Sequence, residues 1–255
     1  MRFLVVKRRA IIIAVLAALV LALAMTGVYY TGAAAIYNNV SPKKVPIYSV
    51  ETDEKAVALT FDAAWGADKT LGILETVEKK DAKATFFLVG FWAEKYETEL
   101  KKLSQSDRIE IGTHSATHPY MSKLSRTQME LELSTSKSLI ESISGRKVEL
   151  FRPPYGDYSD TLLNVAKDQG LYTIQWDVDS LDWKGLSKEQ IAQRVVSGCR
   201  NGSIVLMHND GKHTLEALPI IIDGLRAKGF TFKTVGELIY KDNYTIDHTG
   251  RQIRS

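Results

Sequence analysis

The chain has 255 residues, 45% of them hydrophobic and 25% charged, and its 33 basic and 30 acidic residues leave a formal charge of +3. Much of the basic excess sits near the ends, in Lys7, Arg8 and Arg9 and in Arg251 and Arg254, so no nucleic-acid surface is expected. Cys199 is the only cysteine, which excludes an internal disulfide, and its place after Val195 and Val196 reads as the buried end of a helix.

No charged residue occurs from Ala10 to Tyr30, and the next charge is Lys43. About 20 apolar residues cross a bilayer core, and a basic cluster such as Lys7-Arg8-Arg9 stays in the cytoplasm. The sequence therefore predicts a cytoplasmic basic end over 1–9 and a single-pass transmembrane anchor over 10–30, with everything beyond it extracytoplasmic. Cleavage after Ala22-Leu23-Ala24 or Ala33-Ala34-Ala35, giving a secreted form, is the alternative. Residues 31–54 carry Gly32, Ser41, Pro42 and Pro46 without a period, and predict a linker.

Val57 to Phe61 predicts a first strand, mostly apolar as a strand covered on both faces would be, and it ends in Asp62. Leu71, Leu74 and Val77 give helical spacing over 68–80. A second strand follows over 84–89, a helix over 92–103 and a third strand over 108–111. The third strand runs into Gly112-Thr113-His114-Ser115-Ala116-Thr117-His118-Pro119. Two imidazoles four residues apart either clamp a divalent ion or cap a strand end before a turn. A long amphipathic helix is expected over 125–143, then a strand over 148–151 ending in Arg152-Pro153-Pro154-Tyr155-Gly156. A helix over 159–168 stops at Gly170, and a strand over 172–178 leads into Asp179-Ser180-Leu181-Asp182-Trp183. After a helix over 187–199, a strand over 203–207 ends in His208. A helix over 213–228, a strand over 230–233 and a short helix to Tyr240 complete the domain, placed at 55–240. Residues 241–255 predict a polar, loose tail.

Such alternation demands parallel strands with crossover helices, in a barrel or an open doubly wound sheet. In both, chemistry collects at the C-terminal ends of strands. Asp62, His114, Arg152, Asp179 or Asp182, and His208 each follow a different predicted strand and would converge on one mouth. No glycine-rich phosphate loop follows the first strand, which excludes the usual nucleotide site. Asp62 is a candidate general base and His208 a candidate general acid. Arg152 would hold Asp62 ionised, Asp182 would raise the pKa of His208, and a backbone N–H near Tyr155 would face a developing oxyanion.

The segments Thr60-Phe61-Asp62, His114 to His118, Arg152 to Tyr155, Asp179 to Trp183 and Leu206-Met207-His208 resemble, in order, the five motifs of the polysaccharide deacetylases. This is the NodB-homology group, carbohydrate esterase family four. The resemblance implies an α/β fold, a distorted (β/α) barrel of about seven parallel strands, and removal of N-acetyl groups from an amino-sugar polymer. It makes Asp62 the base, Arg152 its partner, His208 the acid and Asp182 the group that tunes it. Tyr155 would offer an oxyanion N–H, Trp183 and Leu206 would wall the acetyl pocket, and His114 and His118 would bind a divalent metal, zinc or cobalt.

One position departs from the family pattern. The residue after the base, where the family carries a second Asp as third metal ligand, is Ala63, and alanine has no donor atom. The stretch Asp62-Ala63-Ala64-Trp65-Gly66 is similar to the membrane-anchored, sporulation-associated PdaB-like branch. Peptidoglycan is the expected substrate and cell-wall partner. The alternatives are an O-acetyl esterase on a cell-wall glycan, a glycan-binding protein that has lost its metal and its catalysis, and a structural role in the spore envelope.

Overall fold

The computed structural model describes residues 8–39 and 44–255, so Lys7 of the expected basic end and positions 40–43 of the expected linker lie outside the described residues. The chain divides into two units, one ending at Lys43 and one running from Lys44 to Ser255. The first contains the helix α1, Arg8–Asn39, whose side chains from Ile11 to Leu23 include many exposed aliphatics. Among the described residues, no helix is long and apolar enough to cross a membrane, so the anchor expected over 10–30 gains no support from the structure. Helix α1 also continues through the first part of the expected linker.

In the second unit the strands are β1 (Ser49–Val50), β2 (Ala56–Ala63), β3 (Ala84–Leu88), β4 (Ile109–Thr113), β5 (Leu150–Phe151), β6 (Tyr172–Thr173), β7 (Val178–Asp179), β8 (Ile204–His208), β9 (Thr231–Phe232), β10 (Tyr244–Ile246) and β11 (Arg251–Arg254). The helices are α2 (Thr70–Lys79), α3 (Gly90–Lys95), α4 (Glu97–Gln105), α5 (Arg126–Ser144), α6 (Asp160–Asp168), α7 (Lys188–Gly198), α8 (Thr214–Ala227) and α9 (Val235–Leu238). The main sheet has the order β6-β5-β4-β3-β2-β8-β7, with every pair parallel and β9 joined to the start of β2. This is the expected barrel architecture, in the form of a curled half-barrel of seven parallel strands.

Strand β2 is buried along its whole length and shows how two layers form. Val57, Leu59, Phe61 and Ala63 join one apolar cluster with the helices, among them Ile73, Leu133 and Leu218. Ala56 and Ala58 belong to a second cluster with Phe87, Leu150, Ile174 and Ile204. Side chains alternate across a strand, so Thr60 and Asp62 share the face of Ala58. The helices start where the sequence signals them: Ser125, Ser187 and Thr234 each form a capping box.

Three expectations are corrected. The single strand expected over 172–178 is two short ones on opposite edges of the sheet: β6 pairs with β5 and β7 with β8. Residues 174–177 cross between the edges and close the curl, with Gln175 N–H donating to Ile47 O at 2.7 Å and Asp177 N–H to Ile204 O at 3.2 Å. The expected linker ends at Lys44, because Ile47 and Val50 are buried and Ser49–Val50 is a strand. The expected loose tail is ordered: β10 and β11 form an antiparallel pair, and β11 adds to β1 in parallel. Gln252 secures it, buried, with its amide on both the N–H and C=O of Tyr240.

Candidate active site

The parallel register puts the chemistry in one row. Asp62 stands opposite His208 on β8 and Phe87 on β3, and Phe87 stands opposite Gly112 on β4. His114 follows β4, Arg152 follows β5 and Asp182 follows β7. Gly112 is required there, because a Cβ would lie 2.7 Å from the Phe87 ring and 3.0 Å from Leu150 O.

Arg152 is fully buried and donates from Nη1 to Asp62 Oδ1 at 2.8 Å and to Thr60 Oγ1 at 2.7 Å. Its Nη2 donates to Gln175 O at 3.0 Å, and the guanidinium lies over the Phe87 ring at 4.2 Å. Burial pushes the Asp62 carboxyl up, but the charges of Arg152, His114 and His208 outweigh it and hold Asp62 below the usual carboxylate range. The other oxygen, Oδ2, lies 3.5 Å from His114 Nε2. Asp62 is thus an ionised group with one oxygen tied and one facing the mouth.

His208 sits across the strand pair. Its Nδ1–H donates to Asp182 Oδ1 at 2.8 Å and its backbone N–H to Oδ2 at 2.7 Å, while Thr214 Oγ1 donates to Oδ2 at 2.6 Å. Burial pulls the imidazole down, yet the hydrogen bond and charge of Asp182, with the charge of Asp62, leave its pKa raised. Asp182 is nearly fully buried; burial raises its pKa, and His208 more than reverses that. Gly211 leaves room for this pair, since a Cβ would fall 2.9 Å from Asp182 Oδ2. Asp179 is not part of the site: its Oδ1 accepts from Leu181 N–H within its own turn.

The two histidines differ. Nδ1–H of buried His114 donates to Arg152 O at 2.7 Å, which leaves Nε2 as an acceptor. His118 has φ of +60°, and its ring meets those of Trp65, His114 and Tyr155 at 4.9, 4.9 and 4.6 Å. Its buried Nδ1 finds no hydrogen-bond partner among the described residues. Burial and the neighbouring His114 push its pKa down to about 4. Tyr155, at φ +59°, stacks on Tyr120 at 4.3 Å, and Lys123 Nζ lies 4.7 Å from the Tyr120 ring centre. Leu206 is buried on β8, and Trp183 is exposed on the turn after Asp182.

A model of the family described as polysaccharide deacetylase matches residues 49–174. A peptidoglycan-N-acetylglucosamine deacetylase of Bacillus cereus is 32% identical over 192 residues, covering 74% of this chain and 70% of the relative. The chain belongs to the polysaccharide deacetylase family. YlxY of Bacillus subtilis is 33% identical over 211 residues, covering 80% of this chain and 66% of that protein. The chain thus spans just under two thirds of one of its relatives. Among solved structures, a family-four pseudoenzyme from Bacillus anthracis superposes with a TM-score of 0.73 at 37% identity, covering 79% of this chain and 70% of that one. A mutant of the same protein, described as having restored enzymatic activity, is 38% identical over 79% of this chain and 72% of its own, at the same TM-score.

The metal implied by the deacetylase family does not fit the residues present. Ala63 is fully buried in the helix-side core and offers no donor. A ligating histidine almost always donates its second ring N–H to an acceptor; His114 does, but His118 does not. Among the described residues, no group of three His, Cys, Asp or Glu side chains is placed to hold an ion.

Sequence reasoning missed the groups that hold this site together. Glu132 on α5 fixes the histidine loop, accepting from Ala116 N–H, Thr117 N–H and Thr117 Oγ1. Asn209 donates to Gly66 O and Thr70 Oγ1, and its own N–H reaches Asp62 O. Only its position next to His208 signalled Asn209; for Glu132, one acidic residue on an amphipathic helix, nothing did.

Proposed function

We propose that residues 44–255 form a hydrolase that removes N-acetyl groups from an amino-sugar polymer, foremost peptidoglycan. The observation that carries this reading is the pairing of two opposed ion-paired units, Asp62–Arg152 and His208–Asp182, centred on the adjacent strands β2 and β8. Asp62 is ionised and accepts a proton from water, whose oxygen bonds to the acetyl carbonyl carbon. The Tyr155 N–H faces the oxyanion, and Trp183 and Leu206 enclose the methyl group. Protonated His208 then gives its ring proton to the departing nitrogen as the C–N bond breaks, leaving acetate and a free amine. Removal of an O-acetyl group by the same residues remains the alternative chemistry.

The Ala63 position and the 37% identity to a pseudoenzyme favour a second reading, a domain that binds the same glycan and turns it over slowly or not at all. Acetate release from peptidoglycan by the full chain, with and without added Zn²⁺ or Co²⁺, separates the two. Release that disappears in Asp62→Asn supports the hydrolase. Retained glycan binding without release supports the second reading, and neither would remove both.

We also propose a membrane tether formed by residues 10–30 with the domain on the extracytoplasmic side. It rests on the uncharged run after Arg8-Arg9 in the sequence. Protease added to intact protoplasts is expected to digest the domain; a protected domain overturns this placement. Membership of the PdaB-like, sporulation-associated branch rests on Ala63-Ala64-Trp65-Gly66. Timed expression during sporulation tests it.

A further inference from the structure

We infer that Trp65 is a sugar-stacking platform that binds the pyranose ring next to the reacting one, on the side of the site away from Trp183. The inference rests on the glycan reading above and names the group that sets where the polymer lies.

Trp65 comes three residues after Asp62 and is 56% exposed, whereas Trp92 is fully buried. With this exposure more than half of the side chain is accessible to a ligand. Its loop is nevertheless held firmly. Gly66 O accepts from Trp92 Nε1 at 2.6 Å and from Asn209 Nδ2 at 2.9 Å, so two buried side chains from different elements pin the residue after Trp65. The indole meets the His118 ring at 4.9 Å and 67°, which fixes it beside the histidine loop. A rigid, open aromatic face loses little freedom when a ligand covers it.

The neighbouring tyrosines have a ring face already used: Tyr120 and Tyr155 stack on each other at 4.3 Å and 16°. Trp65 has no stacked ring partner among the described residues, meeting the His118 ring only edge-on. Trp183, 59% exposed, stands on the loop after β7, so with β8 and His208 between them the two indoles flank the acid–base row. The residues from Ala63 to Gly66 carry no charge, which suits an uncharged ring presenting its C–H face. The loop that lacks a metal donor at Ala63 thus presents a binding surface two residues later.

The test titrates the full-length chain with N-acetylglucosamine oligomers of one to six units, by calorimetry and by tryptophan fluorescence. The wild type is expected to gain affinity once an oligomer is long enough to cover Trp65. Trp65→Ala should lose about tenfold in affinity for the longer oligomers and little for the monomer. Trp65→Phe should retain most of the affinity, and Leu131→Ala, an exposed apolar residue on α5, should match the wild type. Unchanged melting of Trp65→Ala separates lost stacking from lost fold. Equal binding by Trp65→Ala and the wild type, or no binding by the wild type, overturns the inference. Acetate release read on the same samples keeps the two proposals apart. Trp65-dependent binding without acetate leaves this inference standing while the hydrolase reading falls, and hydrolysis with an unaltered KM in Trp65→Ala does the reverse.

Discussion

The acid–base half of the site and its histidine half sit on neighbouring strand ends and are built to different standards. In the first, each carboxylate has its partner at 2.8 Å, and Thr60, Thr214 and Gln175 take up further hydrogen-bonding positions, though Arg152 Nε is left without one among the described residues. In the second, His114 is oriented by a carbonyl, but His118 has an unpartnered nitrogen and the next potential ligand is a methyl group. A buried ion pair costs several kcal/mol of desolvation per charge and is weak evidence of stability. Two such pairs facing each other across adjacent strands therefore point to chemistry rather than to stability, and Ala63 leaves the histidine half without a donor.

The sharpest way to break the contrast is to disable the acid–base half. Asp62→Asn and His208→Ala are each expected to cut acetate release about 10²- to 10⁴-fold, the usual contribution of a general base or acid. Wild-type turnover in Asp62→Asn would remove Asp62 from the chemistry. Completing the other half is the next largest effect. Ala63→Asp should tighten Zn²⁺ binding well over tenfold, because a first ligand matters more than the outer partners whose loss costs about 10- to 100-fold. Since position 63 is buried in apolar surroundings, the metal-free variant should melt about 3–10 °C lower than the wild type and recover when Zn²⁺ is added. Equal calorimetric titrations of variant and wild type would mean that the missing ligand is not what limits the site.

A smaller shift tests how the acid is tuned. His208 has a raised folded pKa, so its contribution to stability is fully present below the ordinary histidine value near 6.5 and fades as pH rises through the folded value. Activity that needs protonated His208 falls over the same upper window. Asp182→Asn removes the group that reverses the effect of burial, so NMR titration of the imidazole should find its pKa below that of the wild type. An unmoved titration would mean that Asp182 only shapes the loop. The smallest effect is expected at the histidine loop: Glu132→Ala frees three donors and should lower the melting temperature by a few degrees, about 1–3 kcal/mol. The same variant should broaden the His118 resonances and leave those of His208 sharp.

The element alternation and the strand-end residues were legible because both are local: apolar spacing sets the elements, and Asp62, His114, Arg152 and His208 each follow a run that reads as a strand. The seam at 174–177 was not legible, because a chain that changes sheet edge in mid-stretch has the same composition as one that does not. Nor was β11: Arg251-Gln252-Ile253-Arg254 reads as a polar tail until Gln252 is seen buried against Tyr240. Glu132 and Asn209 act through backbone groups far away in sequence, and no spacing rule reports such partners. The weak histidine half, by contrast, was visible in one letter, Ala63.

The parallel pairing of β1 with β11, Ser49 with Arg251 and Val50 with Gln252, bears on how the domain is made. The first and last strands of the unit complete the same small sheet, so it cannot form until β11 has been made. Until then Ile47 and Val50 lack part of their cover and β1 is an unpaired edge, open to wrong partners. Such a long-range closure slows folding. Removing only the last five residues should therefore expose nascent chains to aggregation and proteolysis more than their distance from Asp62 suggests.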